Sequence, residues 1–321
     1  MRLLVLGGPR FLGRGIADAS LARGHEVTFF NRGKTNPELY PDVERIVGER
    51  RGDLAELRGR TWDAVIDTSG YLPTAVRASA EALAESGLYC FVSSISVYAD
   101  FSRTNDEDST LADLGDLPDD EVTDECYGAL KALCEDAVRQ VFEPRSLVVR
   151  PGLIGGPHDP TGRFTYWPHR IALGGEVLAP APPDRLTQLI DVRDLGEWMV
   201  ALCERGASGT FNATHPGFAW SKLVEACKAA SGSNAEVTWV PDAFLLEHEV
   251  GEWMELPVWI ADPTMAGAVE ANVERAIAAG LTFRPLEETA RGALEDAETT
   301  DVAGLTPTRE IELLAAWHGR E

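Results

Sequence analysis

The sequence predicts an α/β protein: a Rossmann-type, doubly wound parallel sheet with a smaller, mixed α/β substrate domain in the C-terminal half. In the first half, short apolar runs rich in β-branched and aromatic residues alternate with helical patterns, a spacing that requires right-handed crossovers between parallel strands. A glycine-rich turn directly follows the first of these runs. After about Pro151 the alternation stops, and glycine and proline crowd residues 151–183.

The expected elements follow in regular order. Strands are predicted at residues 2–6, 27–30, 43–46, 64–67, 89–93 and 147–150. Helices are predicted at 12–23, 74–86 and 129–142, followed by one near 166–173 and a strand-to-helix unit at 186–203. We therefore expect a dinucleotide-binding domain at 1–160, with 186–212 packing back on it, and a smaller substrate-binding domain at 161–321.

Composition excludes several classes of protein. The 321 residues are 44% hydrophobic and 25% charged, which is typical of a globular chain and not of a disordered one. The 52 acidic and 29 basic residues give a formal net charge of −23, so nucleic acid and anionic membranes are disfavoured as partners. Genomic GC content or salt adaptation would each explain the scarcity of lysine. The five cysteines show no C-x-x-C spacing and the six histidines are scattered, so we expect no metal and a cytoplasmic location.

The first turn indicates nucleotide binding. Gly7, Gly8, Arg10, Phe11, Leu12 and Gly13 lie between the first strand and the first helix. Glycine lets such a turn tighten and lets the backbone approach a pyrophosphate, which sits on the helix N-terminus.

The end of the second strand favours NADP over NAD. An NAD site usually carries a carboxylate there, to hold the ribose 2′-hydroxyl. This chain instead has Asn31, Arg32 and Lys34, and Arg32 and Lys34 with Arg10 would match a 2′-phosphate. A basic connecting loop without a ligand is the competing interpretation. After the third strand, Asp53 and Leu54 are candidates for the adenine, although Asp53 would serve equally as a helix N-cap.

A phenol and an ammonium lie at the start of the helix predicted at 129–142. Tyr127 and Lys131 are four residues apart, which places both on one helix face. A nearby cation favours the phenolate and so lowers a tyrosine pKa towards a value useful in acid–base chemistry.

These motifs resemble the extended short-chain dehydrogenase/reductases, also called the NAD-dependent epimerase/dehydratase family. The resemblance covers essentially the whole chain. It rests on the Gly7–Gly13 turn, Val92–Tyr98, the Tyr127/Lys131 pair, Val149–Pro151 with Gly156–Pro157, Ile190–Leu195, Gly209–Asn212 and Phe283–Leu286.

The resemblance implies a role for each matching residue. Tyr127 would exchange a proton with the substrate oxygen, Lys131 would lower its pKa and bind the nicotinamide ribose, and Ser94 would hydrogen-bond the reacting oxygen. Residues lining the cofactor would include Thr68, Ser69, Gly70, Pro151 and Gly152. Family analogy also implies a homodimer through two helices per subunit, at 74–86 and 129–142.

Three departures narrow the expected function. Arg10 replaces the middle glycine of the family's turn. Ile95 and Ser96 stand where sugar-nucleotide dehydratases place an Asp-Glu pair, so that elimination lacks its acid and base. Thr187 stands where the family grips a diphosphate with arginine; Arg185 is a possible substitute, but a substrate without a diphosphate is the simpler interpretation.

Two interpretations stay open for a group of residues that could contact the substrate, and two for one acidic segment. His158, Arg163, Tyr166 and Trp167 form either a binding surface or, for the two aromatics, packing anchors of an interface. Residues 100–125 carry eleven acids and one arginine; a solvated insertion is favoured over a substrate gate.

The leading hypothesis is an NADP-preferring oxidoreductase acting on a carbonyl or alcohol of a small molecule. A nucleotide-sugar epimerase is the alternative within enzymes. A non-catalytic NADP-sensing or RNA-binding relative is the alternative of another class, and the net charge of −23 counts against RNA.

Overall fold

The computed structural model describes residues 1–52, 54–295 and 303–320. Asp53, the predicted adenine contact, lies outside the described residues. The chain divides into two compact units. The first unit comprises Met1–Gly152, Val192–Thr214 and Ala271–Thr282, and the second comprises Leu153–Asp191, His215–Glu270 and Phe283–Glu321. Among the described residues, no helix combines the length and the apolar character needed to cross a membrane.

A seven-stranded parallel sheet forms the centre of the first unit, which confirms the predicted fold class. Its strands, numbered along the chain across both units, are β1 Arg2–Leu6, β2 Glu26–Asn31, β3 Glu44–Val47, β4 Ala64–Asp67, β5 Leu88–Val92, β6 Ser146–Pro151 and β11 Gly209–Ala213. Their order is β11-β6-β5-β4-β1-β2-β3, and every neighbouring pair is parallel. Leu6 is in register with Phe30 on one side and Asp67 on the other, so the carboxyl ends of β1, β2 and β4 meet at one edge.

Burial explains why these strands are apolar on both faces. The side chains of β4 and β5 are all buried, as expected of a parallel sheet covered on both sides. The covering helices are α1 Leu12–Ala22, α2 Pro73–Ala82, α3 Tyr127–Phe142, α5 Val192–Glu204 and α8 Glu274–Ala278. Helix α1 packs on α5, and α2 packs on α3.

The second unit is built from short strand pairs and helices around three tryptophans. Its helices are α4 Tyr166–Ala172, α6 Trp220–Ser231, α7 Asp242–Glu247, α9 Leu286–Glu295 and α10 Pro307–His318, and Pro263–Val269 is a 3-10 helix. Its strands are β7 Ile154–Gly155, β8 Glu176–Pro180, β9 Leu186–Thr187, β10 Ile190–Asp191, β12 Phe218–Ala219, β13 Glu236–Val240, β14 Glu252–Trp253 and β15 Leu256–Pro257. Trp167, Trp220 and Trp259 are at most 1% exposed, and the rings of Trp167 and Trp220 meet edge to face at 4.8 Å.

The acidic segment 100–125 is anchored in its first half and exposed in its second. Asn105 and Glu107 are buried, and Glu107 Oε1 accepts a 2.8 Å hydrogen bond from the Asn212 main-chain N–H on β11. Arg150 on β6 donates to the Glu107 carbonyl at 3.2 Å. Most of residues 113–125 are solvent-exposed, as a solvated insertion requires.

Candidate active site

The turn after β1 has no room for side chains at two of its glycines. Gly7 has φ 113°, and a Cβ there would lie 2.4 Å from Thr68 Oγ1. A Cβ on Gly13 would lie 2.6 Å from the Gly8 Cα atom. The turn therefore packs directly on the end of β4 and on itself, and Arg10 in place of the family's middle glycine has not prevented it from forming.

Helix α1 begins at this turn without a side-chain cap. Within the described chain, the main-chain N–H groups of Phe11 and Leu12 have no acceptor. Free N–H groups at a helix N-terminus bind anions such as a pyrophosphate. The residues present thus fit the phosphates of a dinucleotide.

Asn31, a predicted cofactor ligand at the end of β2, uses its side chain inside the protein. Its Nδ2 donates to the Gly8 carbonyl at 2.8 Å, and its Oδ1 accepts from the Gly33 N–H at 2.8 Å. Asn36 Nδ2 donates to the Pro9 carbonyl at 2.9 Å. These bonds tie the loop after β2 to the turn after β1, which makes Asn31 a brace between the two loops.

Three cations stand on the two loops that Asn31 joins. Arg10, Arg32 and Lys34 are exposed, and none of them has an ion pair or a side-chain hydrogen bond within the part of the chain that the structure describes. The end of β2 carries no carboxylate. The edge is therefore positively charged and has unpaired guanidinium groups available for an anion.

A buried ion pair lies beneath the ends of β3 and β4. Arg50 donates to both carboxylate oxygens of Asp67, which is 0% exposed, and Tyr89 Oη donates to Asp67 Oδ2 at 2.8 Å. Burial alone would raise the pKa of Asp67, but the Arg50 guanidinium holds it below its usual value. Asp67 Oδ1 also accepts from the Ser69 N–H at 3.1 Å. The pair thus fixes the backbone that leads into Ser69 and Gly70.

Thr68, Ser69 and Gly70 follow β4 at the carboxyl edge of the sheet. Thr68 Oγ1 donates to the Leu6 carbonyl at 3.0 Å, and Ser69 Oγ accepts from Arg50 at 3.3 Å. The side chain of Leu54 is 4% exposed and packs in the core with Leu57 and Trp62. The prediction that Leu54 contacts the cofactor is therefore wrong for its side chain.

Lys131 is buried at the end of β5. Its Nζ donates to the carbonyls of Gly70 and Val92, both at 2.6 Å, and lies 4.2 Å from the Phe91 ring centroid. Burial lowers the pKa of Lys131 to about 8. Two of the three ammonium N–H donors are used by these carbonyls, which fixes the charge at the ends of β4 and β5.

Tyr127 and Ser94 come from adjacent segments. Tyr127 begins α3 and is half-buried, while Ser94 caps the 3-10 turn Ile95–Val97 by accepting from the Ser96 N–H at 3.0 Å. Gly128 brings the two segments together, because a Cβ there would lie 2.0 Å from the Ser96 carbonyl oxygen. The Tyr-x-x-x-Lys spacing did not reveal this glycine's role, although Gly128 lies inside the motif.

Pro151 ends β6 and Gly152 follows it. The Gly152 N–H donates to the Ala213 carbonyl at 3.2 Å, and a Cβ there would lie 2.9 Å from Thr214 Oγ1. Both residues thus lie at the carboxyl end of the strand pair β6–β11.

The second unit contains the remaining candidate residues. For three of them the structure corrects the expected role in substrate binding. Trp167 is 0% exposed, and its Nε1 donates to the Pro257 carbonyl at 3.0 Å, so it is a core residue that no substrate can reach. Tyr166 packs against Trp167 with ring centroids 5.1 Å apart, and burial raises the pKa of its hydroxyl. Both aromatics are packing anchors. Arg185 is paired with Asp242 and is not free to replace a diphosphate-gripping arginine.

His158 and Arg163 are the two candidates that stay outside the core. His158 is half-buried with φ 66°. Arg163 is half-buried too, and its guanidinium carbon lies 5.6 Å from the Trp253 ring centroid.

Comparison with solved structures gives the same fold at low sequence identity. UDP-glucuronic acid 4-epimerase from Bacillus cereus, solved with NAD, is 15% identical over 92% of this chain and 96% of its own, with a TM-score of 0.66. dTDP-glucose 4,6-dehydratase from Bacillus anthracis is 13% identical over 93% and 98%, with a TM-score of 0.66. A human epimerase family protein with NADPH is 20% identical over 92% and 99%, with a TM-score of 0.59.

The chain has the fold of the extended short-chain dehydrogenase/reductases. The resemblance stated from the motifs is thereby confirmed for the fold. No protein-family model matches the chain.

Two curated proteins are similar in sequence. The chloroplast stem-loop binding protein of 41 kDa b from Arabidopsis thaliana is 23% identical over 257 residues, which is 72% of this chain and 63% of that protein. 2-alkyl-3-oxoalkanoate reductase from Stenotrophomonas maltophilia is 42% identical over 57 residues, 17% of this chain and 16% of that protein. The chain thus matches less than two thirds of the length of either relative.

Proposed function

We propose that this protein is an NADP-preferring oxidoreductase that acts on a carbonyl or alcohol of a small molecule. The observation that carries the proposal is the set of unpaired cations Arg10, Arg32 and Lys34 beside a β2 end without a carboxylate. A 2′-phosphate would be matched by these cations, whereas a carboxylate there would repel it. The human protein of the same fold was solved with NADPH, which supports this choice.

The chain's own residues supply proton transfer and orientation. A nicotinamide cofactor, when bound, supplies or accepts the hydride. Tyr127 donates a proton to the carbonyl oxygen in reduction and removes it in oxidation, and Ser94 Oγ orients that oxygen by a hydrogen bond. The buried Lys131 ammonium favours the phenolate of Tyr127. The short match to a 3-oxoalkanoate reductase supports carbonyl reduction.

The departures from the family pattern limit the chemistry. Ile95 and Ser96 leave no acid and base for a dehydratase-type elimination. The structure adds that Arg185 is engaged by Asp242, which supports a substrate without a diphosphate.

Cofactor preference is tested by fluorescence titration with NADPH and NADH. Arg32→Ala should weaken NADPH binding roughly 10- to 100-fold, the effect of losing one charge-assisted contact of about 1.5–3 kcal/mol, and should leave NADH binding unchanged. Arg205→Ala is the matched control, since Arg205 is an exposed arginine after α5, away from α2 and α3, without an ion pair among the described residues. Equal affinity for the two nucleotides in the wild type would refute NADP preference.

The role of Tyr127 is tested separately. Tyr127→Phe removes only the hydroxyl, so turnover should be lost while NADPH affinity stays within about twofold. Retained turnover would show that another group transfers the proton.

An epimerase is the second candidate, because several proteins of this fold are nucleotide-sugar epimerases. Such an enzyme would return the hydride to its substrate. Protein denatured after purification would then release a nicotinamide nucleotide in its oxidised form, whereas the proposed reductase would release little.

We further propose that the partners are small molecules and a second copy of the chain, paired through α2 and α3. Gel filtration with light scattering tests the dimer. A non-catalytic RNA-binding role is proposed only as the alternative, motivated by the stem-loop binding relative. A salt-dependent mobility shift with a stem-loop RNA at physiological ionic strength would favour it.

A further inference from the structure

One arginine of the second unit has no carboxylate partner among the residues that the structure describes. The unit contains seven arginines, all of them described by the structure. Six form ion pairs, namely Arg170–Glu310, Arg185–Asp242, Arg284–Asp191, Arg291–Glu287, Arg309–Glu255 and Arg320–Glu247. Arg163 has no ion pair within the described residues. In a chain with 52 acids and 29 bases, an unpaired and half-buried guanidinium requires an explanation.

The surroundings of Arg163 hold the guanidinium in place without neutralising it. Its guanidinium carbon lies 5.6 Å from the Trp253 ring centroid, a cation–π contact that leaves the N–H groups in the guanidinium plane free. Its Nε is buried and has no hydrogen-bond partner in the described chain. A buried donor without an acceptor costs about 1–3 kcal/mol, so this arginine is held at a cost in free energy.

The loop that carries Arg163 is rigid. Asp159, which is 4% exposed, accepts from the Thr161 N–H at 2.9 Å, from Thr161 Oγ1 at 2.7 Å and from Thr165 Oγ1 at 3.2 Å. Thr161 Oγ1 in turn accepts from the Arg163 N–H at 3.3 Å. The loop therefore presents the arginine in one orientation, as a binding site requires.

The tryptophan is also held in an unusual backbone conformation. Trp253 has φ 65°, a left-handed value that a bulky residue rarely adopts. Its N–H donates to the Trp259 carbonyl at 3.1 Å, which stabilises that conformation. Such strain is found most often at functional sites, because a scaffold must compensate for it.

We propose that Arg163, supported by the ring of Trp253, binds the carboxylate of a small-molecule ligand. A carboxylate approaching the two terminal nitrogens, which are not among the buried polar atoms, would form two parallel N–H···O bonds. A single guanidinium balances one negative charge, which favours a carboxylate over a phosphate dianion. On the function proposed above, oxo-carboxylates are the ligands to test first, because they carry a carboxylate together with the carbonyl that the proposed enzyme would reduce.

The test compares acids with their esters in direct binding measurements. Acetoacetate, levulinate and longer oxo-carboxylates, each beside its methyl ester, are titrated into the full chain and followed by ligand-observed NMR and calorimetry. The acids should bind and the esters should not. Arg163→Gln should weaken acid binding at least tenfold, and Arg163→Lys should restore only part of it, because lysine lacks the planar pair of donors.

Control variants and measurements distinguish a specific loss of acid binding from a loss of folding or of cofactor binding. Arg291→Gln removes a half-exposed arginine that is paired with Glu287, and it should leave acid binding unchanged. Arg163→Gln should keep the wild-type NADPH affinity and thermal midpoint. Trp253→Phe should retain most acid binding, whereas Trp253→Leu should lose it.

Several results would overturn the proposal. These are equal binding of acids and esters, acid binding that Arg163→Gln leaves unchanged, binding of none of the acids, and stronger competition by inorganic phosphate than by the acids. Failure of the proposed function has a different signature. In that case acid binding would depend on Arg163 while NADPH would not bind and no oxo-carboxylate would be reduced.

Discussion

Asp67 is a buried charged residue that stabilises the carboxyl edge of the sheet. Its carboxylate is fully buried and accepts from Arg50, Tyr89 and the Ser69 N–H. Asp67→Asn would leave the Arg50 charge buried without its partner. We expect a loss of about 3–5 kcal/mol in the free energy of unfolding, measured by urea denaturation.

A surface pair gives the matched control for Asp67. Glu44 pairs with Arg60, and their side chains are 48% and 34% exposed, so Glu44→Gln should cost about 0–1 kcal/mol. Because the native pKa of Asp67 is lowered, its stabilising effect is present above the unfolded-state pKa and is lost as pH falls through the native value. The difference between wild type and Asp67→Asn should therefore shrink in acid. A difference that is small at neutral pH would contradict the role of the pair.

Lys131 predicts a pH dependence of the same sign in the alkaline range. Its native pKa is about 8, against 10.5 for an ordinary lysine, so in this window the unfolded chain binds one more proton than the folded chain. The stability of the wild type relative to Lys131→Met should therefore rise by roughly 1.4 kcal/mol per pH unit between those two values. Chemical denaturation at a series of pH values measures it. A flat difference would mean that the ammonium keeps its proton throughout.

At the residue scale, short patterns suggest candidate catalytic residues but not the residues that support them. Tyr127 and Lys131 follow from a short local pattern, and Ser94 follows from the family resemblance. Arg50 does not, because its partner Asp67 lies 17 positions away and the pair exists only once β3 and β4 are placed. Asn31 was correctly placed at the loop, but a sequence cannot tell which way an amide turns, and here it braces Gly8.

At the scale of elements, Gly128 controls how closely α3 approaches the turn that carries Ser94. A Cβ at residue 128 would meet the Ser96 carbonyl at 2.0 Å, so Gly128→Ala must push the start of α3 away. Tyr127 would move with it, and misplacement by about 1 Å can cost on the order of 100-fold in rate. We expect a large loss of kcat with little change in NADPH affinity, measured by steady-state kinetics and titration.

Gly217→Ala provides the comparison for this substitution. A Cβ there would have only ordinary contacts at 3.8 Å and beyond, so kcat and the thermal midpoint should stay close to those of the wild type. If Gly128→Ala behaved in the same way as Gly217→Ala, the close approach of α3 would not matter for the reaction.

The two units differ in how well their elements could be predicted. In the first unit the strands are buried on both faces, which leaves continuous apolar runs such as Leu3–Leu6 that a sequence shows directly. In the second unit many strands have two residues, too few to establish an alternation. The parallel pair of Glu176–Pro180 with Glu236–Val240 joins segments 60 positions apart, a pairing that no local pattern predicts.

The predicted domain boundary near residue 160 also shows that local patterns do not reveal long-range pairings. The structure places it after Gly152, because Ile154–Gly155 pairs with Ile190–Asp191 in the second unit. The chain then returns to the first unit at Val192–Thr214 and again at Ala271–Thr282. A return at 186–212 was expected from the sequence, but no pattern in the sequence indicated the segment Ala271–Thr282.

For the whole molecule, the net charge of −23 predicts that salt stabilises the folded chain. Excess like charge destabilises a compact state by self-repulsion, and salt screens it. Salt also weakens the surface ion pairs, but exposed pairs contribute only about 0–1 kcal/mol each, so the repulsion should dominate. Raising KCl from about 0.01 M to about 0.3 M shortens the screening length from about 30 Å to under 10 Å. We expect the thermal midpoint to rise by several degrees over this range, as recorded by calorimetry.

The way the thermal midpoint depends on salt concentration distinguishes charge screening from stabilisation by ions excluded from the protein surface. Screening should be nearly complete at a few tenths molar, because the Debye length is then shorter than the spacing of most surface charges. Stabilisation by ions excluded from the surface would instead keep growing with concentration and would be stronger in sulfate than in chloride at equal ionic strength. A midpoint that falls on addition of KCl would show that the ion pairs outweigh the repulsion. In that case the acidic surface would not destabilise the folded chain at low salt. Salt adaptation would then lose its support as the origin of the acidic composition.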